Sequence, residues 1–464
     1  MLFNSYEFIL AFLPLAVLGY FLLCKVNNKA AQVFLLCMSL FFYAYDVPGY
    51  LAIIISSIVI NYCFTRAFSS KLSDPFKKIL FVLGIIFNVG ILFYYKYFNF
   101  FMNNANKFLQ TDFEIKKIML PLGISFYTIQ QLSFLVDSYK DRTIKYGFLE
   151  YALYVSLFPQ LVAGPIVYHS ELISQFRDKE NLKVNAENVM SGLLWFICGL
   201  GKKIFIADSF GRAVDYGFSN IYGLSTPDAW VTMLAFTLQI YFDFSGYSDM
   251  ACGIAKMFNF ELPQNFNSPY KALSVRDFWR RWHMTLTRFL TKYIYLPLGG
   301  NRKGTARTAL NILIVFLVSG IWHGANYTFF LWGLLYGIIM VLDRFTGDLY
   351  DKLPKVFRWV MTFFVVNVLW VLFRAGGVID WIVIIKRLFV SDSYVLSPEL
   401  MTSFDTYIPV WIQLAGALAL CVIPKNNYVK KIKVNYVTVA AGALLLGLCL
   451  LTLNKISIFL YFNF

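Results

Sequence analysis

The stretch EFILAFLPLAVLGYFLLC, residues 7–24, decides the fold class of this chain. One acid, Glu7, opens it, and the residues that follow up to Cys24 carry no charge. A run of about 18 apolar residues is long enough to span the hydrocarbon core of a bilayer as a helix. No Lys or Arg precedes the run and it shows no cleavage site of small residues, so we interpret it as a retained first transmembrane helix rather than a signal peptide.

Further apolar stretches repeat this pattern along the chain. Of the 464 residues, 59% are hydrophobic and 14% are charged, whereas a soluble domain carries about 25% charged residues. The pattern predicts an all-α integral membrane protein with about 11–13 transmembrane or re-entrant helices, arranged as a single membrane domain over residues 1–464. The apolar stretches lie near residues 7–24, 31–45, 49–65, 79–99, 119–136, 148–166, 190–206, 230–252, 309–322, 327–343, 357–373, 408–424 and 435–453.

The placement of basic residues predicts the topology. The formal net charge is +15, and its Lys and Arg residues sit in loops, as is typical of cytoplasmic loops that face anionic lipid. The basic segments 66–78, 266–307 and 425–433 should therefore be cytoplasmic. Twelve crossings from an outside N-terminus satisfy them if one stretch is re-entrant, and we choose 190–206 for it. The C-terminus then lies outside, and the sequence shows no module that binds nucleic acid.

The seven cysteines indicate neither disulfides nor a metal. Each lies in or beside an apolar run, and none forms a CxxC pair. Cysteines in such places behave as small buried hydrophobes, so we expect no metal site.

His323 and His169 differ in their surroundings. His323 ends an apolar stretch in SGIWHGANYTFFLWG, residues 319–333, where a titratable ring is costly unless it has a function or joins helices by hydrogen bonding. We favour a functional role, with Gly320 and Gly324 leaving room for a substrate. His169 follows AGPI in a polar segment, and we interpret it as a plain loop residue.

The third histidine, His283, lies in FWRRWHMTLTRFLTKYIYLPLGGNR, residues 278–302. Tryptophans beside arginines suit the headgroup level, so an interfacial helix that anchors on lipid and a catalytic segment stay equally open. Asp243 and Asp249 lie at membrane depth in QIYFDFSGYSDM. We interpret both as members of a structural network, with nearby hydroxyls or with an arginine of residues 276–288.

The two histidine segments resemble the paired-histidine signature of membrane-bound O-acyltransferases. The segments LPLGISFYTIQQLSFLVDSYKD (120–141), FPQLVAGPI (158–166) and QIYFDFSGYSDMACGIAKMF (239–258) extend the resemblance. It runs from the first residue to the last and is strongest to the members that acetylate alginate and peptidoglycan. The resemblance implies a multi-pass enzyme of the cell membrane.

The resemblance also implies that His323 is the essential histidine and His283 a second essential or supporting one. Acyl transfer to a hydroxyl needs a base with a pKa near neutrality, which imidazole provides, and a group that orients the donor or stabilises the oxyanion. On the predicted topology His283 lies in a cytoplasmic or re-entrant catalytic segment, residues 253–308, and His323 lies at the outer end of its helix. We therefore expect the two histidines to be approached from opposite faces.

The tail KISIFLYFNF, residues 455–464, is predicted to lie outside. Its aromatic residues suit an anchor at the membrane interface. The tail is also similar to a terminal aromatic motif of glycan-acylating members or their small partner subunits, where a central tyrosine is implicated as an acyl carrier. Tyr461 would be that carrier here, with His323 as its base, because a phenol with a pKa near 10 is a weak nucleophile.

The predicted function is O-acetylation of an extracellular polysaccharide or peptidoglycan. The expected donor is cytoplasmic acetyl-CoA, with no bound cofactor, and the expected partners are membrane lipid, the polysaccharide and an extracytoplasmic esterase-like acetyltransferase. D-alanyl export to teichoic acid is the alternative within the family, and the fusion of the tail to this chain speaks against it. A transporter of lipid-linked sugars is the alternative from another class, but we find no inverted repeat of the kind common in transporters.

Overall fold

The computed structural model of the protein is all-helical and has no β-strand in the residues that it describes. These are residues 1–116, 118–390, 392–404, 408–424, 426, 432–453 and 457–460. The helices, numbered in chain order without single turns, are α1 Glu7–Cys24, α2 Asn28–Ala44, α3 Tyr50–Phe68, α4 Asp74–Leu109, α5 Ile124–Lys140, α6 Phe148–Ser156, α7 His169–Arg177, α8 Ala186–Ser219, α9 Thr226–Met257, α10 Val275–Trp279, α11 Met284–Leu290, α12 Thr305–His323, α13 Tyr327–Tyr350, α14 Lys355–Arg374, α15 Val378–Arg387, α16 Pro398–Ser403, α17 Val410–Val422 and α18 Tyr436–Thr452.

Seven of the described helices are long and apolar enough to cross a membrane: α1, α3, α4, α8, α12, α13 and α14. Helices α2, α17 and α18 are also apolar but shorter. Every apolar stretch predicted from the sequence contains helix, because backbone N–H and C=O groups in a bilayer need partners within the chain. The predicted all-α, multi-pass membrane fold is confirmed.

The apolar stretch 148–166 does not form one continuous helix. It forms α6, of nine residues, and a single turn at Phe158–Leu161, and neither piece reaches the roughly 20 residues that a crossing needs. Its two ends meet, because Tyr146 Oη lies 3.0 Å from His169 Nδ1 and Arg177 donates to Glu150 at 2.6 Å. A segment whose ends touch enters and leaves on one side, so we interpret this stretch as re-entrant.

This geometry changes the topology that we drew from charge alone. The stretch 190–206, our choice for the re-entrant segment, belongs to α8, whose 34 residues are long and apolar enough to cross. The structure therefore favours 148–166 over 190–206 as the re-entrant stretch. Twelve crossings and three cytoplasmic basic segments remain compatible with this change, and the sidedness of the chain stays a prediction.

The chain divides into two compact units. Unit 1 comprises residues 1–198, 247–263 and 432–463, and unit 2 comprises residues 199–246, 264–431 and 464. The predicted single domain and the separate 253–308 segment stay predictions.

Within unit 1 the two ends of the chain lie together. Asn4 donates from Nδ2 to the carbonyl of Ser457 at 3.0 Å, and the Tyr6 hydroxyl donates to the carbonyl of Leu450 at 2.6 Å. Both ends therefore lie on one side of the membrane, as an even number of crossings requires.

Within unit 2, α12 and α13 pack with their backbones in contact. A Cβ placed on Gly320 would lie 2.3 Å from the carbonyl oxygen of Phe329 and close to Gly333, and one on Gly324 would meet the Phe329 ring. Small residues permit such close helix packing in membranes. The prediction that Gly320 and Gly324 leave room for a substrate is therefore wrong, and their effect is to fix the end of α12, where His323 lies.

Candidate active site

His323 is the last residue of α12 and lies in a cage of three aromatic side chains in unit 2. Its ring centroid is 4.9 Å from that of Trp322, 5.3 Å from Trp332 and 5.1 Å from Phe373. The histidine is buried, with 4% of its surface exposed. Exclusion of water from a base confines its proton transfers to groups that bind beside it.

His283 lies directly before α11 and is 1% exposed. Its backbone is left-handed, with φ at 44°, a conformation that costs a residue with a β-carbon about 1–2 kcal/mol. The neighbouring Phe278 and Trp282 are buried as well, and the Phe244 ring stands edge-on to the imidazole at 4.8 Å. Because these side chains face protein, the alternative of a lipid-anchored interfacial helix is wrong.

Asn265 sets the tautomer of His283. Its Oδ1 lies 3.0 Å from His283 Nδ1 and also accepts hydrogen bonds from the backbone N–H and the hydroxyl of Thr285, at 3.4 and 3.0 Å. A backbone N–H only donates, so the atom facing it is the amide oxygen, and Nδ1 of His283 must donate as well. In the neutral ring Nε2 then holds the lone pair, which suits proton acceptance rather than stabilisation of an oxyanion.

Both histidines lie against one indole. The ring of Trp322 is 4.9 Å from His323 and 6.4 Å from His283 between centroids. Trp322 stands near the end of α12, roughly 25 Å from Thr305 at 1.5 Å per residue. The two histidines therefore share one aromatic core near one end of α12, and their approach from opposite faces of the membrane stays a prediction.

A cleft of about 380 Å³ is lined on one side by residues of α12, and neither histidine belongs to its lining. Its volume lies within the roughly 300–1,000 Å³ of small-molecule sites. Residues four apart share one face of a helix, so Ser319 in the cleft wall is one turn from His323 on the same face. The lining residues are Arg276, Trp279, Arg280, Leu286, Thr287, Leu290, Thr291, Tyr295, Ile312, Val315, Phe316, Ser319 and Met340.

The two arginines of the cleft differ in their partners. Arg276 donates to the side chain and to the carbonyl of Asp343, both at 2.7 Å. Arg280 is exposed and forms no ion pair with the residues that the structure describes. Its neighbour Arg281 points to Asp277, which it meets at 2.8 Å. Arg280 is therefore the cleft cation that an anionic ligand can engage.

Asp243 belongs to a buried charge cluster in unit 2. Lys203 Nζ lies 2.8 Å from a carboxylate oxygen of Asp243 and 2.8 Å from one of Asp208. The structural interpretation of Asp243 is confirmed, although its ionic partner is Lys203 and not an arginine of residues 276–288. Asp249 is also buried, in unit 1.

Two further sequence interpretations concern His169 and Tyr461. His169 is not a plain loop residue, because it begins α7, is buried, and has Tyr146 and Asp137 at its two ring nitrogens. Tyr461 lies outside the described residues. Phe459, two positions earlier, is buried in unit 1 with its ring 5.1 Å from that of Tyr247.

Comparison with known proteins identifies the class. The chain matches the membrane-bound O-acyltransferase family, MBOAT, over residues 76–379, a range that holds both histidines, the aromatic cage and the cleft. The chain belongs to the membrane-bound O-acyltransferase family, and it is an O-acyltransferase of the membrane. This membership decides between the enzyme and the transporter in favour of the enzyme.

Individual relatives narrow the comparison. The chain is 38% identical to the peptidoglycan O-acetyltransferase of Helicobacter pylori, over 100% of this chain and 98% of that protein. It is 35% identical to the probable alginate O-acetylase AlgI of Pseudomonas aeruginosa, over 81% of this chain and 72% of that one. It is 22% identical to the teichoic acid D-alanyltransferase of Bacillus subtilis, over 75% of this chain and 87% of that protein.

Proposed function

We propose that this enzyme takes acetyl from cytoplasmic acetyl-CoA and supplies it for O-acetylation of a polysaccharide or peptidoglycan outside the cell. The sequence identity is 38% and 35% to two relatives named for acetylation, and 22% to a D-alanyltransferase. Acetyl is therefore favoured over D-alanyl as the transferred group. An extracytoplasmic esterase-like acetyltransferase is the partner that places the acetyl on the sugar.

The cleft whose wall includes Ser319, one helical turn from His323, carries this proposal. Its largely apolar wall suits a short acyl group and the slender arm of a coenzyme thioester. Arg280 adds an exposed guanidinium, the group that pairs best with phosphate. A thioester lying in the cleft with its phosphates near Arg280 would bring its carbonyl toward Ser319 and the histidine cage.

The chemistry follows from the two imidazoles. His323 takes the proton of the acceptor hydroxyl while the oxygen attacks the thioester carbonyl, a carbon–oxygen bond forms, the carbon–sulfur bond breaks, and the thiolate leaves with the proton. His283, a hydrogen-bond acceptor at Nε2, orients the donor by accepting from an amide N–H of its arm. The acceptor hydroxyl is that of Tyr461 in a relay, or that of a sugar in direct transfer.

The proposal is tested by replacing His323 with Asn in cells that lack the native gene. We expect O-acetyl groups on surface glycans, measured by mass spectrometry, to fall by about 10²–10⁴-fold, the contribution of a general base. The Phe373→Leu variant is the control for a disturbed cage and should keep most of its activity. Near-normal acetylation by a folded, membrane-inserted His323→Asn protein would show that His323 is not the base.

A second measurement tests the donor. The purified enzyme should release free thiol from acetyl-CoA when its acceptor is present, and the His323→Asn variant should not. Acylation from a D-alanyl carrier protein but not from acetyl-CoA would overturn the assignment of the donor while leaving the histidine in place.

A further inference from the structure

Three side chains in unit 1 form a line of contacts that the chemistry at His323 does not use. Tyr146 Oη lies 3.0 Å from Nδ1 of His169, and Nε2 of His169 lies 3.3 Å from Oδ2 of Asp137. His169 is buried, and the Asp137 side chain is 14% exposed. These residues come from the end of α5, the loop before α6 and the start of α7.

The hydrogen-bond roles in this line are fixed by chemistry. An ionised carboxylate only accepts, so His169 Nε2 donates to Asp137. In the neutral ring Nδ1 is then the acceptor, and the Tyr146 hydroxyl donates to it. A hydroxyl that donates to a base, which is itself oriented by a third group, is the arrangement of an activated nucleophile.

The surroundings of Tyr146 make its reactivity depend on such a base. Burial raises the pKa of the Tyr146 phenol, and the positive charge of Arg177 opposes this shift. The Arg177 guanidinium lies over the ring, 5.2 Å from its centroid, and is held there by Glu150. Tyr146 nevertheless keeps part of its surface exposed, and its acylation requires that a small acylating molecule reach the hydroxyl.

We propose that Tyr146 is a second nucleophile of this protein, with His169 as its general base and Asp137 as the residue that positions the base, and that it accepts an acyl group from a thioester. The phenolic oxygen attacks the carbonyl carbon, the carbon–oxygen bond forms and the carbon–sulfur bond breaks. The phenolic proton passes to His169 Nδ1 and from there to the departing thiolate. Only the identity of the thioester rests on the function proposed above.

A purely mechanical role is the competing account of the same contacts. Tyr146 and His169 stand at the two ends of the re-entrant stretch 148–166, and a hydrogen bond between them would hold these ends together. A clasp of this kind needs no basic nitrogen, because any acceptor at the Nδ1 position would serve. His169→Asn places an amide oxygen near that position, so it keeps a clasp and removes the base.

The test uses the purified full-length protein and N-acetylimidazole, which acetylates tyrosine hydroxyls with loss of imidazole. Acetylation at each tyrosine is followed over time by peptide mass spectrometry, with Tyr436, 95% exposed, as the internal reference. We expect Tyr146 to react at least about 10-fold faster than Tyr436, although it is less exposed, since general base catalysis contributes about 10²–10⁴-fold. His169→Asn should remove this advantage and leave the Tyr436 rate unchanged, and Tyr146→Phe should show no label on its peptide.

A Tyr146 rate less than about 10-fold above the Tyr436 rate, or a Tyr146 rate in His169→Asn that equals the wild-type rate, would overturn the proposal in favour of the clasp. If His169→Asn does not fold, the wild-type protein still decides. The Tyr146 rate must then still exceed the Tyr436 rate by at least about 10-fold. The His323→Asn variant should label Tyr146 normally, so failure here and failure of the proposed function are distinguishable.

Discussion

Oδ1 of Asn265 lies 3.0 Å from Nδ1 of His283 and so determines which nitrogen of that imidazole can accept a proton. The same oxygen accepts hydrogen bonds from the backbone N–H and the hydroxyl of Thr285, at the start of α11. The amide thus joins the segment before residue 283 to the helix after it. We therefore expect Asn265 to affect both the stability of this segment and the rate of acyl transfer.

Replacing Asn265 with Leu keeps the volume and removes the acceptor from three donors. Unsatisfied buried donors cost about 1–3 kcal/mol each when a partner is lost, so the melting temperature should fall. Activity should fall further than stability explains, by about 10–100-fold, because the imidazole loses the fixed tautomer with which it orients the donor, and a misplaced reactant costs on the order of 10²-fold. Asn267→Ala, in the same loop but partly exposed, is the matched control and should change neither quantity.

His283 needs a substitution that respects its backbone. Alanine at φ 44° costs about 1–2 kcal/mol, whereas asparagine visits the left-handed region readily. His283→Asn should therefore melt near the wild-type temperature and still lose about 10²-fold in activity, because the donor is no longer oriented, with some activity remaining. Full activity in His283→Asn together with an inactive His283→Ala would reduce the role of this position to its backbone conformation.

The sequence contains much of this fold because apolar runs in a bilayer have few alternatives to helix. Every predicted stretch contains helix, and the two histidine motifs identify His323 and His283, which both lie against the Trp322 ring. The re-entrant stretch 148–166 could not be recognised, because its composition matches a crossing segment and only the contact between Tyr146 and His169 shows that its ends meet.

Partners that lie far apart in the sequence also could not be predicted, because their contacts appear only in the folded chain. Asn265 stands 18 positions before His283 and belongs to no motif, and the pairing of Lys203 with Asp243 joins two apolar helices. Neither pair leaves a local pattern in the chain. The glycines beside His323 do leave a local pattern. Glycine suits both a close contact between helices and an open path for a substrate, so this pattern does not tell the two apart.

Arg280 offers a direct test of how the donor binds. Arg280→Gln should raise the KM for acetyl-CoA by about 10-fold and leave kcat unchanged, because a hydrogen bond to a charged group contributes about 1.5–3 kcal/mol and exposure reduces this. Arg281→Gln is the control at the next position, since Arg281 is already paired with Asp277. With acetyl-pantetheine, which lacks the nucleotide phosphates, wild type and Arg280→Gln should become equal. A defect that persists with this donor would mean that Arg280 supports the cleft wall rather than the phosphates.

At Tyr461 a carrier and an anchor differ in one oxygen atom, the phenolic hydroxyl that only the carrier needs. The tail just before Tyr461 is held in unit 1. The carbonyl of Ser457 accepts a hydrogen bond from Asn4, and the Phe459 ring packs on that of Tyr247. Anchoring is thus already provided two residues upstream of the tyrosine. Tyr461→Phe keeps the aromatic ring and removes the hydroxyl, so under the carrier model it should eliminate glycan acetylation at unchanged protein level.

Phe459→Ala makes the opposite change, since it weakens the anchor and keeps the Tyr461 hydroxyl. Under the carrier model this variant should lower the melting temperature, as loss of a buried Phe costs about 3–5 kcal/mol, and retain acetylation at temperatures where it is folded. The acyl-enzyme itself gives a second readout, because an aryl acetate on Tyr461 should appear in mass spectra of wild type treated with acetyl-CoA and vanish in Tyr461→Phe and His323→Asn. Normal acetylation by Tyr461→Phe would instead assign the transfer to the histidines acting directly on the final hydroxyl.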